Sequence, residues 1–214
     1  MPAFSKGGLT FAIEFGPGWW DWNRAYLANE IASSAILAPT AGLMADQWIN
    51  SFKTSYALAL RIGYNILGFA TVEIFFSGTG WDVPTPYVGG GGFAGGAVRF
   101  HPLEILWRIL KKDPRPFGLD FSTFFSWGYG IAGFEDNPNS VLALGADGFA
   151  FGWGLDVEYF FNHAIGVSLG LRGNFPFWDH IYYDFNGRAG WALPNTTKGA
   201  FWMSTFGVVM RFGD

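Results

Sequence analysis

Along most of this chain, large apolar residues occupy every second position, and Gly, Ala, Ser or charged residues fill the positions between. A period of two marks a β-strand whose two faces meet different surroundings. Residues 8–16 set Leu9, Phe11, Ile13 and Phe15 against Thr10, Ala12 and Glu14. Residues 55–64 set Tyr56, Leu58, Leu60, Ile62 and Tyr64 against Ala57, Ala59, Arg61 and Gly63. The pattern returns at 70–77, where Ala70, Val72, Ile74 and Phe76 oppose Thr71, Glu73 and Ser77, and in a glycine-rich segment at 90–101 carrying Arg99 and His101. Four more segments follow, at 119–129, 149–159, 165–172 and 202–212. Most approach the roughly 9–11 residues that a tilted strand needs to cross a bilayer.

The charges always fall on the register that lacks bulky apolar groups. A soluble barrel shows the reverse, with large apolar residues enclosed and charges in water. An eight-stranded barrel has a narrow interior, so the small and ionic register is expected inside and the bulky one outside, against hydrocarbon. The predicted fold is all-β: a transmembrane antiparallel up-and-down barrel of eight strands, taking in residues 1–214 as one domain.

Composition strengthens this reading. Only 14% of residues are charged, against about a quarter in ordinary soluble domains. Helical spans are excluded by length: the longest uncharged stretches, such as 32–45 and 121–134, fall short of the roughly 20 apolar residues a helix needs. The 31 glycines would each cost a helix about 1 kcal/mol. With no cysteine, thiolate metal sites are excluded, and no cofactor is expected. A net charge of −4 argues against a nucleic-acid partner. Residues 1–6 lack the apolar run of a signal peptide, which an exported barrel requires, so such a peptide is expected to have been removed.

In the last segment Phe206, Val208, Met210 and Phe212 alternate toward the C-terminus, followed by Gly213 and Asp214. This strand, with the textures of 91–101 and 116–129, resembles the small bacterial outer-membrane barrels of the OmpA, OmpX and OmpW group. The resemblance covers nearly the whole chain and rests on strand texture more than on a strict motif. It implies a place in the bacterial outer membrane among its lipids and lipopolysaccharide, with both termini in the periplasm. It also implies that Phe206, Val208, Met210 and Phe212 form the C-terminal signal read by the barrel-insertion machinery. That signal normally ends on an aromatic residue, and Gly213 and Asp214 depart from it.

With the N-terminus periplasmic, the external loops are expected at 17–54, 80–89, 135–147 and 175–198, and short periplasmic turns at 65–68 and 161–164. The third periplasmic connector, 101–115, reads as an amphipathic helix with Leu103, Leu106, Trp107 and Leu110 on one face and Glu104, Arg108, Lys111 and Lys112 mostly elsewhere. Two readings stay open for it: a helix lying on the headgroups, or one packing its apolar face under the barrel.

Nine charges fall on the inward register: Glu14, Arg61, Glu73, Arg99, Asp120, Asp156, Glu158, Arg172 and Arg211. Five are acidic and four basic, a near balance that points to paired networks across the lumen, because an isolated buried charge is very costly. The strand order predicts that Arg61 meets Glu73, Arg99 meets Asp120 and Arg172 reaches Asp156. The same residues could instead line a narrow pore.

No catalysis is expected. Some eight-stranded barrels trim or acylate lipid A and need a His beside a Ser or carboxylate at the outer edge. His101 and His163 fall at the wrong end; His180 falls in the expected 175–198 loop beside Asp179, near Asp184. Phe175, Phe177, Trp178, Tyr182 and Tyr183 are expected to form a headgroup-level platform there.

The expected first loop is unusually apolar. Trp19, Trp20, Trp22, Tyr26 and Trp48 stand out, and 24–37 and 41–52 read as short helices broken by Pro39. Such a loop would fold as a lid over the barrel mouth, lie on the outer leaflet, or dock a partner protein. The expected function is a non-enzymatic structural or interaction scaffold acting through residues 17–54; the alternative is a small channel for ions or apolar molecules.

Overall fold

The computed structural model describes residues 7–22, 26, 29–30, 55–66, 68–81, 87–110, 118–136, 143–184 and 188–213. Eight strands follow in chain order: β1 (Gly8–Trp22), β2 (Ser55–Ile66), β3 (Ala70–Trp81), β4 (Tyr87–Phe100), β5 (Leu119–Asp136), β6 (Ala143–Phe160), β7 (Ile165–Asp184) and β8 (Arg188–Phe212). One helix, α1 (Pro102–Ile109), lies between β4 and β5. Each strand pairs antiparallel with its neighbour in sequence, and β1 closes the ring on β8, from Leu9 opposite Phe212 to Trp22 opposite Gly199. Closure removes both free edges. An even strand number returns the chain to the rim where it began.

Two of the connections at that terminal rim are built by asparagine turns. Asn65 accepts the Gly68 amide through Oδ1 at 2.6 Å, and Gly68 turns at φ 83°, a conformation that favours glycine. Asn162 Oδ1 accepts the amides of Ala164 and Ile165, both at 2.8 Å.

The wall separates the two registers. Leu58, Ile74, Phe125, Phe151 and Leu169 are each more than half exposed on the outside, whereas Ala59, Ala97, Glu14 and Asp156 are fully enclosed. In water this continuous apolar belt would be far larger than a soluble surface carries. It is the surface of a barrel whose outer solvent is hydrocarbon.

The strands run further than the alternation predicted at the end opposite the termini. β1 continues to Trp22, so the expected 17–54 loop begins later, and Trp19, Trp20 and Trp22 belong to a strand. β3 and β4 reduce the expected 80–89 loop to residues 82–86. Most of 135–147 and nearly all of 175–198 are strand, leaving only 137–142 and 185–187 between strands. Pro176, Asp179, Pro194 and Asn195 disguise this by breaking the alternation. The β7–β8 register skips Phe175 and Pro176 and shifts between Trp178 and His180, which turns Ile181 into the barrel. Trp178 also points inward and is fully buried, so it is no part of a headgroup platform. Helical Tyr26, Asn29 and Glu30 fall within the first of the two expected loop helices; the rest of both, with Trp48, lies outside the described residues.

Candidate functional site

All nine inward-register charges are buried in the lumen. Six of them close a ring of alternating sign. Arg61 donates to Glu14 at 2.7 Å and to Glu73 at 3.2 Å. Arg99 donates to Glu73 through Nε at 2.7 Å and reaches Asp156 on its other side. Arg172 lies 3.6 Å from Asp156 and completes the circuit by pairing with Glu14. Phe124 sits inside this ring, 4.8 Å from the Arg99 guanidinium and 5.2 Å from that of Arg172. Its face offers each cation a further favourable contact.

Glu158 links the ring to a second layer nearer the termini. It accepts from Arg61 at 3.3 Å and from Arg211 at 2.7 Å. Arg211 also donates to Asp120 at 3.1 Å and lies over the Phe160 ring at 4.4 Å. His101 Nδ1 is 2.7 Å from the same Asp120 oxygen, and its Nε2 is 2.9 Å from the Thr71 hydroxyl. A carboxylate accepts only, so Nδ1 is the donor there.

Two of the expected pairings are present, Arg61 with Glu73 and Arg172 with Asp156. The third is corrected. Arg99 stands opposite Phe124 in the β4–β5 register, several residues along the strand from Asp120. It therefore binds Glu73 and Asp156, while His101 and Arg211 take Asp120.

Glycines make room for the carboxylates. Glu14 faces Gly207, Glu73 faces Gly63 and Asp156 faces Gly170 on neighbouring strands. A Cβ at Gly207 would meet Glu14 Cγ at 2.6 Å, one at Gly63 would meet Glu73 Cγ at 2.8 Å, and one at Gly170 would overlap the Asp156 carboxylate. These inward glycines shape the cavity that the ion pairs fill.

Beyond the ring, away from the termini, the lumen turns aromatic. Trp20 stacks on Phe201 with centroids 4.4 Å apart, and Phe93 joins at 5.6 Å from Trp20 and 5.7 Å from Phe201. Met203, Trp178 and Ile181 are also fully buried among the inward residues. The expectation of small residues inside thus fails in the half of the barrel away from the termini. Parity alone contained the signal: Trp20 shares a register with Glu14, Phe93 with Arg99, Phe124 with Asp120, and Phe201 with Arg211. His101 was likewise readable as inward from Arg99.

Other sequence-marked residues fall elsewhere. Trp19 is 41% exposed on the outer face of β1, and the Tyr26 hydroxyl donates to the Asn195 carbonyl at 3.0 Å. Phe206, Val208 and Phe212 project outward on β8, with Met210 half-buried in the same register. His180 lies on β7 rather than in a loop, and its Nδ1 is 3.4 Å from Asp147, which also accepts from Tyr129 at 2.7 Å. Asp179 is exposed, and no group of three His, Asp or Glu side chains among the described residues is arranged to hold a metal.

A cavity of about 10 Å³ remains between the two ionic layers, lined by Arg61, Glu73, Arg99, His101, Glu158 and Arg211. That is room for about one water. Taken together, a closed ring of eight antiparallel strands with an apolar exterior and an ion-paired interior defines a small membrane-spanning β-barrel.

Known structures share this fold. The chain is similar to the Neisserial surface protein A (10% identity, 94% of this chain and 97% of that one, TM-score 0.53). It is similar to the outer membrane protein OprG of Pseudomonas aeruginosa (13% identity, all of both chains, TM-score 0.53). It is also similar to a major outer membrane protein of Thermus thermophilus (11% identity, 95% and 99%, TM-score 0.55). At such identities the likeness is one of fold: that of the small outer-membrane β-barrels. No protein-family model and no curated protein matches the sequence.

Proposed function

We propose that this chain is a non-conducting, non-enzymatic outer-membrane scaffold, one barrel domain over its whole length, which docks a partner protein at its outer end. The observation that carries the reading is the filled lumen: an alternating ring of ion pairs closed over by the Trp20–Phe93–Phe201 stack. The carboxylates that would serve acid–base chemistry are held by arginines, which favours a structural role for them. The outward residues Phe206, Val208, Met210 and Phe212 would be read by the insertion machinery, and the termini would face the periplasm. The wall would contact membrane lipid and, on its outer leaflet, lipopolysaccharide.

Because strand side chains already close the mouth, residues 24–52 are not needed as a lid, which favours docking. Deleting residues 24–52 should therefore leave thermal stability within a few degrees and abolish recovery of a co-purifying partner from native membranes. A collapse of stability would instead make the segment a lid. In planar bilayers the full chain should give no unitary openings. Steady openings whose size changes in Glu73→Gln or Arg61→Gln would identify a channel and overturn the scaffold reading.

A further inference from the structure

Helix α1 is turned the wrong way for a helix in water. Ile105, Leu106, Ile109 and Leu110 form one stripe at helical spacing, and they are 42%, 48%, 71% and 50% exposed. Glu104, the acidic residue of the first turn, is buried. Of the apolar face expected for the connector, Leu106 and Leu110 are thus exposed and Leu103 is half-buried, so toward its C-terminal end the helix turns this face away from the protein.

The lumen fixes this orientation. His101 is held inside the barrel by Asp120 and Thr71, while its carbonyl accepts the amides of Glu104 at 3.1 Å and Ile105 at 3.4 Å. Its own amide donates to the Phe69 carbonyl at 2.9 Å. The first turn of α1 is thus bolted to the β2–β3 turn and to the ionic layer, and the stripe cannot rotate inward without breaking them. The helix departs beside Phe100, and the chain re-enters the wall at Leu119, both exposed on the lipid-facing register. Tyr64, Tyr159 and Phe161 are exposed nearby on the same rim. The stripe therefore continues the apolar belt at its lower edge. The sequence at the end of the helix and just beyond it carries Arg108, Lys111, Lys112 and Arg115 against Asp113.

We propose that α1 is an interfacial helix that lies on the phospholipid leaflet at the terminal end of the barrel. Its stripe enters the boundary between headgroups and acyl chains, and the net positive charge of the sequence at 108–115 favours an anionic leaflet. Acyl chains cover the stripe as they cover the adjacent wall, and anionic headgroups attract clustered Lys and Arg. The helix then sets the depth at which the barrel floats.

The proposal rests on the membrane-spanning reading of the wall, and the test separates the two. The chain has no cysteine, so single cysteines at Ile109, Ile74 and His163 can each carry a nitroxide without background. Each variant is refolded into vesicles of phosphatidylethanolamine with phosphatidylglycerol. Its collision rates with oxygen and with a polar nickel chelate are then compared. Ile74→Cys reports on the wall, and His163→Cys on an exposed turn of the same rim. The expected oxygen-to-nickel ratio at Ile109→Cys is several-fold above that at His163→Cys and below that at Ile74→Cys. It should fall when phosphatidylcholine replaces phosphatidylglycerol. A water-like ratio at Ile109→Cys beside a lipid-like one at Ile74→Cys would overturn the helix proposal alone. So would a label shielded from both reagents, the mark of a second protein or copy covering the stripe. A water-like ratio at Ile74→Cys would instead sink the membrane reading of the wall.

Discussion

Replacing Glu14 with alanine should destabilise the folded barrel by about 3–5 kcal/mol, the cost of leaving buried charges without a partner. Glu14 is fully enclosed and accepts from Arg61 at 2.7 Å, from Ser168 at 3.0 Å and from Arg172. Without it, Asp156, at 3.6 Å, is the one carboxylate left to Arg172 among the described residues, beside its contact with the Phe124 ring, and Arg61 must rely on Glu73, Glu158 and the more distant Asp156. Urea unfolding of barrel refolded into vesicles reads the loss as a shift in midpoint. In a double-mutant cycle, Glu14→Ala with Arg172→Met should lose less than the sum of the two single changes, because the orphaned guanidinium is removed with its partner. A loss below about 1 kcal/mol for Glu14→Ala would mean that the pair behaves as a solvated surface bridge.

Replacing Ile74 with arginine should cost about 2–4 kcal/mol, the penalty of a cation near the middle of a lipid-facing wall. Ile74 is 57% exposed and central in the outward run Val72, Ile74, Phe76. In a soluble protein, arginine at so exposed a position would be nearly neutral. The same unfolding assay separates the two cases, and the penalty should shrink when arginine is placed at Tyr56, near the far end of the neighbouring strand.

The outer face was legible in the sequence because hydrocarbon imposes one requirement at every second residue, and Leu58, Ile74, Phe125 and Leu169 all meet it. The interior was legible only as a set of charges. Which carboxylate meets which guanidinium depends on how far adjacent strands slide past each other, and alternation does not encode that slide. Arg99 and Asp120 lie on neighbouring strands, yet the register sets Arg99 against Phe124 and Asp120 against Glu158. The half away from the termini was hidden for another reason. Beyond the bilayer neither register must be apolar, so polar and proline residues enter strands such as β7 and β8 and read as loop. A one-residue slip at Asp179 then exchanges the two faces, which is why Trp178 and Ile181, three apart, both point inward.

The division of the wall is tested most directly by methyl NMR of the barrel in lipid nanodiscs, recording magnetisation transfer from acyl-chain protons. Strong transfer to Leu58, Ile62, Ile74, Leu155, Leu169 and Val208, and none to Ala59, Ala97 or Val209, is the expected result. Acyl contact with the second set, or a folded chain that stays monomeric in detergent-free buffer with no acyl contact to the first, would contradict it.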